Sequence, residues 1–498
     1  MGAVSFGAAA VTSFLLTPFL LRSLGDASYG ILSLAGELVA YSIAFDFGIR
    51  GALAYFVSRF RGEGKPAEAD TYVRTAFWIL IFSACVALPV AGAAVWGLPS
   101  LFQIDRVDSG DARRAVGVLL LVPVLNLPWS VPSAVLGGLR RYDMVSTASI
   151  IATIASGVGV AVTLALDGGI VAVATVQACS AALAWGFHLV QLRRLNYRLH
   201  LWPPDFTMAR VRDILRFGSA NLTMTLTQVA LLQTDLLVIG RIAGAMAVAR
   251  YTIGRYLGFH LLTLVSSMAA TLPTAFTHFA TVGDREGLRK LYLDASACIG
   301  AGACLLAAGI IVFGEPFIRL WVGPTYTQGP WWDRSDAVLY MMTAAMLVRG
   351  AGSVPMQYLF GIRRLRPLII VRVLESVVHL AGSIVFVSWL GLAGVALVKL
   401  AVSAASHVLF VFPVTLRLAG IPILVFCKVV LIPMAATGAA TAAAGLVLKT
   451  WFPPATWPAF FADCAAAGAC GLVLAWTIAI PPSYRRKVLE QVRRIIRS

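Results

Sequence analysis

Runs of roughly twenty apolar residues recur along this chain from end to end, each long enough to cross a bilayer as a helix. Hydrocarbon offers no water to a backbone, so only helices or closed barrels span it. A barrel would show short alternating segments, and these are missing. Only 13% of the 498 residues are charged, against about a quarter in ordinary globular domains. Mean hydropathy is +0.84. The expected fold is an all-α polytopic membrane protein of about 14 transmembrane helices. No polar stretch is long enough for a separate soluble domain. Met1 to Leu21 lacks the basic start of a signal peptide and is followed at once by another apolar run, so it reads as a first span. The shortest predicted links are 167–169 and 390–391.

The net charge of +17 does not point to nucleic acid, because the positions of the charges explain it. With the N-terminus in the cytoplasm, most of the 40 Lys and Arg fall on the cytoplasmic side. They include Arg59, Arg61, Lys65, the Arg193–Arg216 group, Arg285, Arg289, Lys290, Arg363, Arg364, Arg366 and Arg372. The positive-inside rule then places both termini in the cytoplasm and favours an even number of spans. The tail RRKVLEQVRRIIR reads as a basic amphipathic segment on the inner lipid surface or as a solvated tail. The cysteines Cys85, Cys179, Cys298, Cys304, Cys427, Cys464 and Cys470 all lie in apolar runs without CxxC or paired histidines. They read as small packing residues, with no metal site and no redox role.

An internal repeat appears at an offset of 219 residues, without a gap over the first part of each copy. Arg22 matches Arg241, Gly25 matches Gly244, Leu53 matches Leu272, Phe60 matches Phe279 and Gly64 matches Gly283. Both copies start in one orientation, which implies two lobes related by an axis along the membrane normal. The expected layout is an N-terminal lobe over 1–190, a cytoplasmic linker over 191–213, and a C-terminal lobe over 214–416. An extra helix pair over 417–480 and a basic tail over 481–498 complete it.

Charges inside spans cost about 3 kcal/mol each on insertion scales, so they usually face protein or a wet cavity. The intramembrane cations are Arg50, Arg250, Arg255, Arg349 and Lys399. Arg349 falls near mid-depth of its span, where a cavity role competes with helix packing; Arg250 can snorkel to the interface. Asp46 and Arg50, four apart in FDFGIRGALAYFVSRF, should share a helix face, either as a neutralising pair or as a substrate contact. Through the repeat, Arg255 matches Gly36, so Glu37 and Arg255 should lie at similar depth on opposing lobes and can pair across a cavity. Asp235 lies near a span end. Glu375, His379 and Lys399 can form a buried polar cluster, structural or proton-relaying. Asn221, Thr225, Gln228 and Gln233 make one span polar along its length and can bond sugar hydroxyls or hold helices together. Trp321, Trp331 and Trp332 suit an interfacial belt.

The stretches LLRSLGDASYGILSL and FDFGIRGALAYFVSRFRGEG, with LRFGSANLTMTLTQVALLQTDLLVIGRIAGAMAVARYTIG at the start of the second copy, resemble bacterial polysaccharide transporters. These are the Wzx-type lipid-linked oligosaccharide flippases of the multidrug/oligosaccharidyl-lipid/polysaccharide exporter superfamily. The likeness covers the whole chain in length and layout, with a short N-terminus and with Val248 where the first copy has Tyr29. It implies a V-shaped pair of six-helix lobes around a cavity in a bacterial inner membrane, open alternately to each side. The implied substrate is an undecaprenyl-pyrophosphate carrying a sugar repeat unit. On this reading Arg50, Arg255, Arg349, Arg250 and Lys399 are cavity cations for the pyrophosphate, which arginine's planar fork suits. Glu37, Asp46, Asp235 and Glu375 gate or couple transport, and Asn221, Gln228 and Gln233 touch sugars. No cofactor is expected beyond an undetermined coupling ion, proton or sodium. The expected partners are membrane lipids and the polysaccharide polymerase and export machinery. The alternatives are a lipid II flippase, a related drug or cation antiporter, or a membrane enzyme of sugar assembly. The enzyme lacks support from any nucleotide loop or catalytic motif.

Overall fold

The computed structural model describes residues 2–102, 109–202, 207–364, 366–479 and 485; the basic tail falls outside them save Arg485. Among the described residues there are helices and no strands. The chain forms two compact units, Met1–Ala249 and Arg250–Ser498. The helices of the first are α1 (Gly2–Tyr41), α2 (Ile49–Gly62), α3 (Pro66–Leu101), α4 (Ser109–Trp129), α5 (Val131–Gly138), α6 (Tyr142–Ala165), α7 (Ile170–Arg194) and α8 (Met208–Ile242). The unit boundary falls within α9 (Gly244–Ala269). There follow α10 (Leu272–Val282), α11 (Arg285–Trp321), α12 (Ser335–Ala351), α13 (Ser353–Gly361), α14 (Arg366–Ser406), α15 (Phe412–Ala419), α16 (Ile423–Phe426), α17 (Ile432–Trp451) and α18 (Trp457–Leu474).

Eleven segments of the described chain are long and apolar enough to cross a membrane, where the sequence predicts about fourteen. The difference lies at three places. α1 is broken at Gly25 and α14 at Leu390–Gly391, so each joins two predicted spans. α8 carries the polar series around Gln228 and is not among the eleven.

The repeat is visible in the backbone. Gly25 and Gly244 have φ of 78° and 83°, and Gly64 and Gly283 have 72° and 78°. Further along, Arg140 and Arg363 (59° and 58°), Asp167 and Gly391 (56° and 54°), and Asn196 and Gly420 (54° and 65°) continue the correspondence at a slightly larger offset. The second copy has gained residues by then; it carries the short turns Pro324–Thr327 and Trp331–Asp333 ahead of α12. Left-handed backbone is uncommon for residues other than glycine, so five matched occurrences mark the same helix ends in both halves.

In the first unit, α2, α3 and α5 share a core that includes Leu53, Phe56, Val57, Tyr72, Val73 and Val135. The segment after α7 is fastened to α3. Tyr197 donates a 2.6 Å hydrogen bond to Asp70, Trp78 donates to the Leu201 carbonyl, and Arg61 sits over the Tyr197 ring. Burial pushes the Tyr197 phenol up, and Asp70 acts in the same direction. In the second unit α11 is packed through small residues. Gly300 meets Met434, Gly438 meets Cys304, and Gly445 meets Phe313, the close approach that membrane helices use in place of a hydrophobic driving force.

Two sequence expectations are corrected. Trp331 and Trp332 are exposed, but Trp321 is buried against Tyr256 and Phe317 and belongs to the core. Cys85, Cys179 and Cys470 are exposed, not packed inside. An apolar run in a membrane protein does not reveal which of its faces meets protein and which meets lipid.

A tight helix contact in the first unit lies where α8 crosses the start of α2. A methyl group at Gly218 would overlap the carbonyl of Phe47, and one at Gly48 the carbonyl of Gly218. Gly218→Ala is expected to lower the melting temperature in detergent. Gly36→Ala, at a helical glycine with open space around it, should be neutral or stabilising by about 0.5–1 kcal/mol. Equal melting of both variants would show that the contact is not tight.

Candidate functional site

The buried charges of the second unit converge where α12 ends. Arg349 lies in its last turn, just before Gly352, and is 7% exposed. Its guanidinium donates a 2.6 Å hydrogen bond to Glu375 of α14. Arg372, one turn earlier on α14, donates to the other carboxylate oxygen at 2.9 Å. Ser403, in the later part of α14, donates to Glu375 at 3.4 Å. His407 opens a wide turn, His407–Val411, and its Nδ1 lies 2.8 Å from the Ser403 carbonyl. The His407 ring lies against Gly352, where any side chain would overlap it. One carboxylate thus holds two guanidiniums and ties α12 to both parts of α14.

This corrects the expected Glu375–His379–Lys399 cluster. Among the described residues the hydrogen bonds of Glu375 run to Arg349, Arg372 and Ser403. Arg372, which sequence reasoning assigned to a cytoplasmic link, was missed; its spacing of three from Glu375 on one helix was the available signal. His379 is buried with its Nε2 3.4 Å from Ser383. Lys399, 1% exposed, and Arg255 both sit over the Phe259 ring, at 6.0 and 4.9 Å, within reach of a cation–π attraction. Arg250 is half-buried, and its carbonyl accepts from Ser335 at 2.8 Å.

In the first unit Arg50 and Asp46 do pair, with Arg50 Nε 3.1 Å from Asp46 Oδ1. They do not share one continuous helix. Phe47 and Gly48 have φ of 48° and 71°, so the chain breaks between them. At the break Gly48 packs against Gly218, a contact that local spacing could not show. The break puts the Asp46 carboxylate before the N-terminus of α2, where the helix dipole favours negative charge. Both residues line a cavity of about 470 Å³ with residues of α4, α6 and α7, within the usual range of about 300–1,000 Å³ for small-molecule sites.

Glu37 and Asp235 are both buried and act on Tyr41, whose hydroxyl bonds that of Thr234. Glu37 belongs to the first unit and Arg255 to the second. On α8, Gln228 is exposed and Gln233 half-buried; the side chain of Asn221 lies outside the described residues. No group of His, Cys, Asp and Glu fit to hold a metal occurs among the described residues.

These features define a multi-pass helical membrane protein with buried charges and a polar cavity inside its first unit. Residues 19–329 match the polysaccharide biosynthesis protein family, and the chain belongs to it. The membrane protein EpsK of Bacillus subtilis (strain 168) is 23% identical over 96% of this chain and 94% of its own length. The fold is similar to that of the lipid II flippase MurJ in an inward closed conformation, with a TM-score of 0.74. That match has 12% identity and covers 98% of this chain and 99% of that one. An inward-facing multidrug resistance MATE family transporter of the MOP superfamily matches with a TM-score of 0.65 and 16% identity, over 82% of this chain and 95% of its own. The chain has the fold of these two membrane proteins.

Removing one member of a buried ion network strands the other and typically costs about 3–5 kcal/mol, whereas replacing the whole network with apolar groups is often neutral. Glu375→Gln is therefore expected to lower the melting temperature sharply. The triple variant Arg349→Met, Arg372→Met, Glu375→Leu should recover most of that loss. Melting curves in detergent check both, and a mild Glu375→Gln variant would remove the network's structural role.

Proposed function

We propose that the protein is a flippase that moves an undecaprenyl-pyrophosphate-linked oligosaccharide repeat unit from the inner to the outer leaflet of a bacterial inner membrane. Both termini face the cytoplasm in this reading, as the distribution of Lys and Arg supports. The observation that carries it is the family match over residues 19–329, which links a transporter fold to polysaccharide synthesis. Intramembrane cations are what an anionic pyrophosphate requires. Arg255, Arg250 and Lys399 are the candidates for that role; Arg50 is paired with Asp46 and Arg349 is committed to Glu375. Translocation changes no covalent bond of the substrate, so no catalytic residue is needed. Glu37, Asp46 and Asp235 are the carboxylates available for coupling to a proton or sodium gradient. The protein then acts after the enzymes that assemble the unit and before the polymerase and export machinery.

Lipid II transport is the second reading, favoured by a fold match to that flippase over 98% of this chain. Deletion in the native bacterium, followed by analysis of lipid-linked intermediates, separates the two. Complete repeat units trapped on the inner leaflet, with surface polysaccharide lost and growth retained, are the expected outcome. Accumulation of lipid II with loss of viability would select the second reading. Altered drug sensitivity with normal polysaccharide would overturn both.

A further inference from the structure

The cavity in the first unit is polar but electrically balanced. Its charged lining is Asp46 and Arg50, paired at 3.1 Å. A cavity built for a cationic drug would carry excess negative charge, and one built for a phosphate alone would carry excess positive charge. An apolar guest is disfavoured as well, because buried polar groups in the wall would stay unmet. His188 is 8% exposed and lines the cavity. Among the described residues neither of its ring nitrogens has a hydrogen-bond partner. Asp46 Oδ1 likewise accepts no hydrogen bond, because the nearby Arg50 Nε lies off the bonding direction.

Two tryptophans stand in the remaining wall. Trp129, at the end of α4, and Trp185, on α7, both line the cavity, with ring centroids 6.4 Å apart and planes within 8°. The Trp185 indole N–H donates to Asn126 Oδ1 at 2.9 Å, which fixes the ring and leaves the amide nitrogen of Asn126 free to donate. A pyranose has the complementary chemistry. Its hydroxyls bond planar groups such as carboxylate, amide, guanidinium and imidazole in pairs. Its C–H face carries slight positive charge and meets the negative face of an indole.

We propose that this cavity is a saccharide-binding site, with Trp129 and Trp185 as the stacking surface and Asp46, Arg50, Asn126 and His188 as hydroxyl partners. The assignment rests on the reading that the transported molecule carries sugar, and it places the sugar inside the first unit.

Saturation-transfer NMR on the purified full chain in nanodiscs tests it. The probes are methyl glycosides of glucose, galactose, N-acetylglucosamine and rhamnose, with inorganic pyrophosphate as a non-sugar control. At least one glycoside should show transfer to its ring C–H protons, while pyrophosphate at equal concentration does not displace it. Trp185→Ala should weaken that glycoside by about ten-fold, the scale of one aromatic contact. Trp185→Phe should recover part of the loss, and His188→Gln should weaken binding without removing the stacking signal. Each variant must elute as a monodisperse peak like the parent. Absence of transfer from every glycoside, displacement by pyrophosphate, or unchanged affinity in Trp185→Ala would overturn the assignment. The flippase reading is judged separately, by the intermediates trapped in the deletion strain.

Discussion

Hydrocarbon cannot satisfy a backbone, and every departure from regular helix in this protein must answer to that constraint. Three of the departures lie against protein. The break at Phe47–Gly48 is pressed onto Gly218. The α12–α13 break at Gly352 is covered by His407. The break at Leu390–Gly391 lies beside Trp332 and Asp333. In each case a neighbouring element sits where lipid would otherwise meet unsatisfied backbone groups. Functional residues gather at the same places, since a broken helix can turn a charged side chain inward.

Charge inside the membrane obeys the same rule in two different ways. In the second unit Glu375 is buried with two arginines and a serine around it, and its hydrogen-bonding capacity is used within the protein. That arrangement joins three helical segments and suits a structural tie. In the first unit Asp46 and Arg50 neutralise each other at the wall of a cavity. That arrangement suits a guest that offers hydroxyls. The contrast separates two sets of charges that look alike in sequence.

The repeat bears on how such a molecule is built. The matched left-handed residues, from Gly25 and Gly244 to Asn196 and Gly420, show that both halves end their helices at the same points. The halves have nonetheless diverged in their buried chemistry. The first copy holds the tryptophan-lined cavity, and the second holds the Arg349–Glu375–Arg372 network. A common scaffold with two different interiors fits a substrate whose parts differ chemically.

Taken alone, the sequence determined the membrane class, the helical fold and the repeat, because hydrophobic length and glycine placement act locally along the chain. It also identified the charged residues that hydrocarbon would penalise, including Arg50, Asp46, Arg349 and Glu375. Their partners were a different matter. Spacing of four put Asp46 and Arg50 on one helix face, but only the approach of α8 to Gly48 shows the break between them. Spacing likewise grouped Glu375 with His379, while packing of α12 against α14 gave it to Arg349 and Arg372. Trp129, Asn126, Trp185 and His188 carry no shared motif, since α4 and α7 are brought together only by folding. The tertiary structure decided these pairings because side-chain partners are set by which helix faces meet, and an apolar helix in lipid shows no sequence contrast between its faces.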